Sequence, residues 1–296
     1  MKNRWLLNIG LALLVGALVA LAIYRPGTKK PEPGTPLTNL TPDGVQRIRL
    51  QRPGQPEIDL EKTGDDWRMT APRVARANGF RLAELTRLAS FPVKVRFPAV
   101  AAELGQYGLD HPLATVFLND AEIRFGGMHP LNNALYALHD NQVQLIPAGA
   151  LRTAIAPLTD LFSTSLLEDK TKILALQLPG FSLKQNDQGA WVRTPEIKQL
   201  GSDRINQFVD EWRYARALSV AAYSGKAAAE QVVITVADGA KPRTIKLGVL
   251  TRKPEFVLVR YDEKLEYHFP AEIGTSLMQL QPDDAPPANR ATPAAP

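Results

Sequence analysis

Two tryptophans, Trp67 and Trp191, stand 124 positions apart in closely similar surroundings: Asp66-Trp67-Arg68-Met69-Thr70-Ala71-Pro72 is echoed by Ala190-Trp191-Val192-Arg193-Thr194-Pro195. The register then persists. Arg81 matches Arg204, Ile123-Arg124-Phe125-Gly126 matches Ile245-Lys246-Leu247-Gly248, and Pro147-Ala148 matches Pro270-Ala271, at offsets of 123, 122 and 123. A duplication of this kind commits a chain to building one small architecture twice, because each copy must satisfy the same pattern of buried faces.

The pattern itself comes from periodicity. After Arg81 the apolar residues Leu82, Leu85 and Ala89, and after Arg204 the residues Ile205, Phe208, Val209 and Trp212, recur at helical spacing. Period-two alternation marks strands at Ile48/Leu50, Ile58/Leu60, Val232/Ile234/Val236 and Leu265/Tyr267/Phe269. Each copy therefore reads as two strands, a loop from Trp to Pro, one main helix, then a meander of about four strands ending in a short helix. Short strands joined by Gly, Pro, Asn and Asp turns, with few helical crossovers, favour antiparallel sheets. The expected fold class is α+β, in two tandem modules over residues 45–166 and 167–281, with either separate sheets or one sheet shared between them. Trp67, Pro72, Trp191 and Pro195 are expected to be structural, the indoles covering the helices that follow.

Ahead of the modules, Trp5–Tyr24 holds no charged residue and only Asn8 as a polar side chain, a length that suits a membrane-spanning helix. Residues 1–4 would then be a cytoplasmic end. A cleaved signal peptide is the competing reading, since Ala20-Leu21-Ala22 offers small residues, but the run exceeds a usual signal core. The flanking charges nearly balance, Lys2 and Arg4 against Arg25, Lys29 and Lys30, so orientation rests on the very short N-terminal side. That arrangement places the body in the periplasm and the anchor in the inner membrane. Residues 25–44, rich in Pro and Gly, are expected to be a tether, and residues 282–296 a disordered tail.

The net charge of +5 lies mostly beside this segment: residues 1–44 carry 5 Lys+Arg against 2 Asp+Glu. The remaining body is close to neutral, so no nucleic-acid partner is expected. With no cysteine, thiolate chemistry and disulfide frameworks are excluded.

Trp67 to Pro72, the helix after it, and Tyr107-Gly108-Leu109-Asp110-His111-Pro112 followed by a strand and Gly126 resemble the bacterial domain of unknown function 4340 family. The resemblance covers most of residues 45–280. It implies membrane-anchored proteins, some related to accessory subunits of gliding-type ABC transport systems, and no established activity or catalytic residues. The second module departs from the motif, since Ala227-Ala228-Ala229-Glu230 stands where Gly-Leu-Asp would fall.

No residues present themselves as catalytic, and no cofactor is implied. His111, His129, His139 and His268 are too scattered for paired metal ligation, so no metal site is expected. Asp110-His111-Pro112 reads as a turn, there is no GxSxG elbow, and Gly225-Lys226 lacks the rest of a phosphate loop. Asp65/Asp66 and Asp120/Glu122 could be imagined as an acid and base, but both read as hairpin residues. The best candidate ligand loop is the segment containing Gly126, Gly127, His129, Asn132 and Asn133, which could present backbone and polar groups together. The functional expectation is a non-enzymatic, envelope-facing binding or scaffold protein, held to the membrane through residues 5–24 and partnered by other envelope or membrane proteins. An accessory subunit of an ABC-type transport system and a carboxylate-based hydrolase of envelope polymers are the alternatives.

Overall fold

The computed structural model describes residues 2–24, 35–131, 133–239 and 241–282. The candidate tether residues 25–34, Asn132 of the candidate loop, and the tail 283–296 lie outside the described residues. The N-terminal helix α1 covers Lys2–Tyr24. Side chains in α1 are described without interruption only over Ile9–Ala17, and among the described residues no helix is long and apolar enough to cross a membrane. The span expected at Trp5–Tyr24 is thus not found.

The first module contains β1 (Thr35–Pro36), β2 (Arg47–Gln51), β3 (Ile58–Thr63), β4 (Asp66–Ala71), β5 (Ala75–Arg76), helix α2 (Gly79–Arg87), β6 (Pro92–Val93), β7 (Val95–Pro98), β8 (Ala114–Leu118), β9 (Ala121–Met128), β10 (Ala134–His139), β11 (Gln142–Pro147) and helix α3 (Gly149–Ala154). The second contains β12 (Ile173–Leu178), β13 (Phe181–Gln185), β14 (Trp191–Thr194), helix α4 (Ser202–Arg213), β15 (Ser219–Ala222), β16 (Glu230–Asp238), β17 (Lys241–Thr251), β18 (Glu255–Arg260), β19 (Leu265–Pro270) and helix α5 (Ala271–Met278). The fold is α+β with two large antiparallel sheets, ordered β5-β4-β3-β2-β8-β9-β10-β11-β7 and β14-β13-β12-β16-β17-β18-β19-β15. Strand for strand the orders coincide, β2 with β12, β4 with β14 and β7 with β15, except that β5 has no counterpart. The sheets are separate, and a two-stranded pair, β1 with β6, completes the pairing.

Helix α2 starts at Gly79 because Asn78 caps it, its side chain accepting from the Phe80 and Arg81 amides. Its buried face is Leu82, Leu85 and Thr86; that of α4 is Ile205, Phe208, Val209 and Trp212. Both stripes join one hydrophobic core that also takes in the inner faces of both sheets.

Two expectations need correction. The Trp-to-Pro segments are strands rather than loops, because the alternation of Trp67, Met69 and Ala71 with Arg68 and Thr70 lets them extend their sheets at the β3 and β13 edges. Residues 35–44 do not form a tether. Leu37 is fully buried, its amide donates to the Phe91 carbonyl, and Thr38 bonds twice to the Ala89 carbonyl. Proline-rich composition mimics a linker here because a two-residue edge strand needs few backbone donors.

The segment joining the modules follows a similar plan. Leu166 donates to the Ala215 carbonyl and Ala217 to the Thr164 carbonyl, as Leu37 donates to Phe91. On its other side the same segment binds the first module: Ser163 donates to the Arg76 carbonyl, Asn78 to the Leu161 carbonyl, and Ala77 forms a bridge with Phe162. The connector is thus held by backbone bonds on both flanks.

Candidate functional site

The motif residues Tyr107, Gly108, Leu109, Asp110 and Pro112 lie in the turn between a 3-10 helix (Ala101–Tyr107) and β8, folded down upon β9. Gly108 has φ +66°, a conformation glycine adopts without cost. A Cβ on Gly126 would come 2.3 Å from the Tyr107 carbonyl oxygen and 3.0 Å from Leu109, whereas one on Gly127 would clear that carbonyl by 3.5 Å. The spacing between motif and glycine therefore records a close backbone approach. Asp110 Oδ1 accepts from the His111 amide, and His111 is exposed. In the second module a Cβ on Gly248 would meet the Ala228 methyl at 2.6 Å. The alanine run thus crosses its strand at the matching place, without the motif's side chains. Gly126→Ala should cost about 1–3 kcal/mol, the usual range for overpacking, and Gly127→Ala distinctly less. Urea denaturation of both variants checks the order.

This packing changes the reading of the candidate ligand loop. Gly126 and Gly127 belong to β9 and form the bulge in its pairing with β10, the two of them standing against Tyr136. His129 Nδ1 accepts from the Leu131 amide, its ring lies 5.6 Å from Tyr136, and Asn133 is exposed. None of these residues lines either of the two cavities described below. Asp65 sits in the β3–β4 turn and Asp66 opens β4; Asp120 lies in the β8–β9 turn and Glu122 pairs with Arg124 on the same strand. Among the described residues no group of His, Asp and Glu could hold a metal ion. Neither Trp67 nor Trp191 is a core residue: both are partly buried and pack against the core margin, while Trp212 is the indole that is fully enclosed.

Trp67 faces a feature that sequence reasoning missed. A cleft of about 320 Å³ runs along the seam between the modules, lined by Asp66, Trp67, Phe80, Thr164, Glu168 and Arg216 among others. Phe80, at the start of α2, is 69% exposed there. A larger hollow of about 550 Å³ lies beside α2 and α3, but the charges lining it are partly paired among themselves, Arg81 with Glu84 and Asp160.

Beneath the seam cleft lies a buried ionic network. Arg76 of β5 donates from Nε to Glu263 Oε1 at 2.5 Å, and from Nη2 to the Tyr267 hydroxyl at 2.8 Å and the Leu166 carbonyl at 3.2 Å. Tyr267 in turn donates to Glu263 Oε2. Arg260, 1% exposed, donates to the same Leu166 carbonyl, to Glu168 and to both oxygens of Asp262. One network thus ties the first module, the connector and the second module together. Burial disfavours the charged form of Glu168, but the charges of Arg260 and Arg76, with backbone hydrogen bonding and a bond from Arg243, hold its carboxyl down at about 2. Tyr267 is pushed above its ordinary range, chiefly by burial. The sequence carried one usable signal: Arg260 shares a strand face with Phe256 and Leu258, where a charge needs a buried partner.

A family model, Domain of unknown function (DUF4340), matches residues 67–241. The chain belongs to this family. The DUF4340 match begins at Trp67, takes in Arg76, the motif turn, Gly126 and the connector, and ends in β17, short of Arg260, Glu263 and Tyr267. No curated protein and no solved structure matches the chain.

Proposed function

We propose that this chain is a non-enzymatic binding or scaffold module, anchored through its N-terminal helix with its body in the periplasm, serving a larger membrane complex. What carries the reading is the seam cleft, where an exposed phenyl ring and a partly buried indole sit over two modules fastened by a buried network. Contiguous exposed apolar surface, rather than a lone ring, marks a contact site, and here Phe80 and Trp67 line the same cleft. The anchor rests on the uncharged run Trp5–Tyr24 and on α1 covering it.

A photo-crosslinking residue placed at Phe80 in the full chain, in intact cells, is expected to give a discrete covalent adduct with another envelope protein. The same residue at Asp120, whose side chain is 98% exposed on the β8–β9 turn, serves as the reference and should give none. Equal labelling at both sites would remove the support for the cleft. Resistance to alkaline carbonate and digestion by external protease in spheroplasts are the expected results for anchoring and orientation, and release or protection would refute them respectively.

A further inference from the structure

The seam shows how one end of a module is used, and the second module carries the same end uncovered. In the first module, β4 is paired on its outer side by β5: Met69 lies opposite Ala75, Arg68 opposite Arg76, and Ala77 donates to the Trp67 carbonyl. In the second module β14 is the edge of its sheet, and the residues after Pro195 turn away without pairing to it. The direction of its free groups follows from the hairpin. Asn186 and Ala190 form the hydrogen-bonded pair, so along β14 the backbone groups of Val192 point inward and those of Trp191 and Arg193 point out. The Trp191 carbonyl thus matches the Trp67 carbonyl that Ala77 engages. Val192 is 50% exposed on this edge.

The opposite end of the molecule does not supply the missing strand. At the seam, Arg76 Nη2 reaches across to Tyr267 and the Leu166 carbonyl. At the far edge of the first module, Arg96 of β7 makes the corresponding contacts within its own module, to Gln144 at 3.2 Å and the Pro36 carbonyl at 2.9 Å. Gln144 stands 123 positions before Tyr267, the offset of the repeat. At that end the arginine and the glutamine are already engaged within their own module, so a second copy would not meet there the arrangement that Arg76 meets at the seam.

We propose that the outer edge of β14 is a docking edge that takes an antiparallel, proline-free extended segment of a partner polypeptide, with small apolar residues alternating as in Ala75-Arg76-Ala77. The edge continues an interface already formed inside the molecule, and pairing of this sort draws affinity from main-chain bonds and selectivity from alternate side chains. The inference rests on the reading of the chain as a binding module, but it concerns a surface separate from the Phe80 cleft.

The test appends the sequence of residues 73–78 after Pro296 of the full chain and follows backbone amide exchange. At a millimolar effective concentration, half occupancy should slow exchange at Trp191 and Arg193 by about twofold or more, with the outward amide of Arg96 on the β7 edge unchanged. The same appended segment carrying proline at the positions of Ala75 and Ala77 leaves the body intact and should give no protection. Absence of protection, or equal protection with the proline version, overturns the docking edge and leaves the Phe80 crosslinking result untouched. Protection that rises with protein concentration, without any appended segment, assigns the edge to a second copy and overturns it equally.

Discussion

Glu263→Gln should lower the unfolding free energy of the body by about 3–5 kcal/mol, the range seen when one member of a buried pair is removed and its partner stays charged. Arg76 is 7% exposed, so its guanidinium stays poorly solvated when the carboxylate is gone. The Tyr267 hydroxyl, which donates to the same carboxylate, loses a charged acceptor as well. Replacing both members, Arg76→Met with Glu263→Leu, should recover most of the loss, because two apolar groups leave no orphaned charge. Urea denaturation provides the measurement, and a loss below about 1 kcal/mol for the single change would mean that the pair behaves as a solvated one.

The same network sets an acid response. Glu168 lies at about 2 in the folded chain against an ordinary 4.5, so its stabilising effect is complete above the ordinary value. It is lost as the pH falls from there toward 2. A melting point that stays flat between pH 5 and pH 2 would contradict this.

Trp212→Ala should cost about 3–5 kcal/mol, the penalty for emptying a large buried aromatic site. Its indole is 0% exposed, and Nε1 donates to the Leu277 carbonyl at 2.8 Å, joining α4 to α5. Trp67→Ala and Trp191→Ala should cost clearly less, since both indoles stay partly in solvent. If all three changes lowered the melting point equally, the duplicated tryptophans would be core residues after all.

Much of this fold could be read from the chain because its signals are local. The alternation at Ile48/Leu50 and Val232/Ile234/Val236, the helical spacing of Leu82/Leu85 and Ile205/Phe208, and the repeat offsets all locate real elements. The segment from Trp67 to Pro72 was harder, since a proline at its end resembles a loop while the residues before it alternate as a strand. The seam was not legible. Arg76 and Glu263 are 187 positions apart, and nothing local in either marks the other as its partner. The Gly126 spacing was visible as a motif, but its meaning, a carbonyl pressed against a strand, required the backbone path.

Residues 35–38 bear on any attempt to work with the body alone. A version trimmed at residue 45, where composition suggests a flexible leash gives way to the folded part, would amputate Leu37 and the short strand beside it. The cut would strip the cover from Phe91 to Val93 and open the core at that margin. Leu161, Phe162, Leu166 and Leu167, all buried, make the middle of the chain equally unforgiving. Neither half can be lifted out as a bead from a string, because each borrows its neighbour's thread.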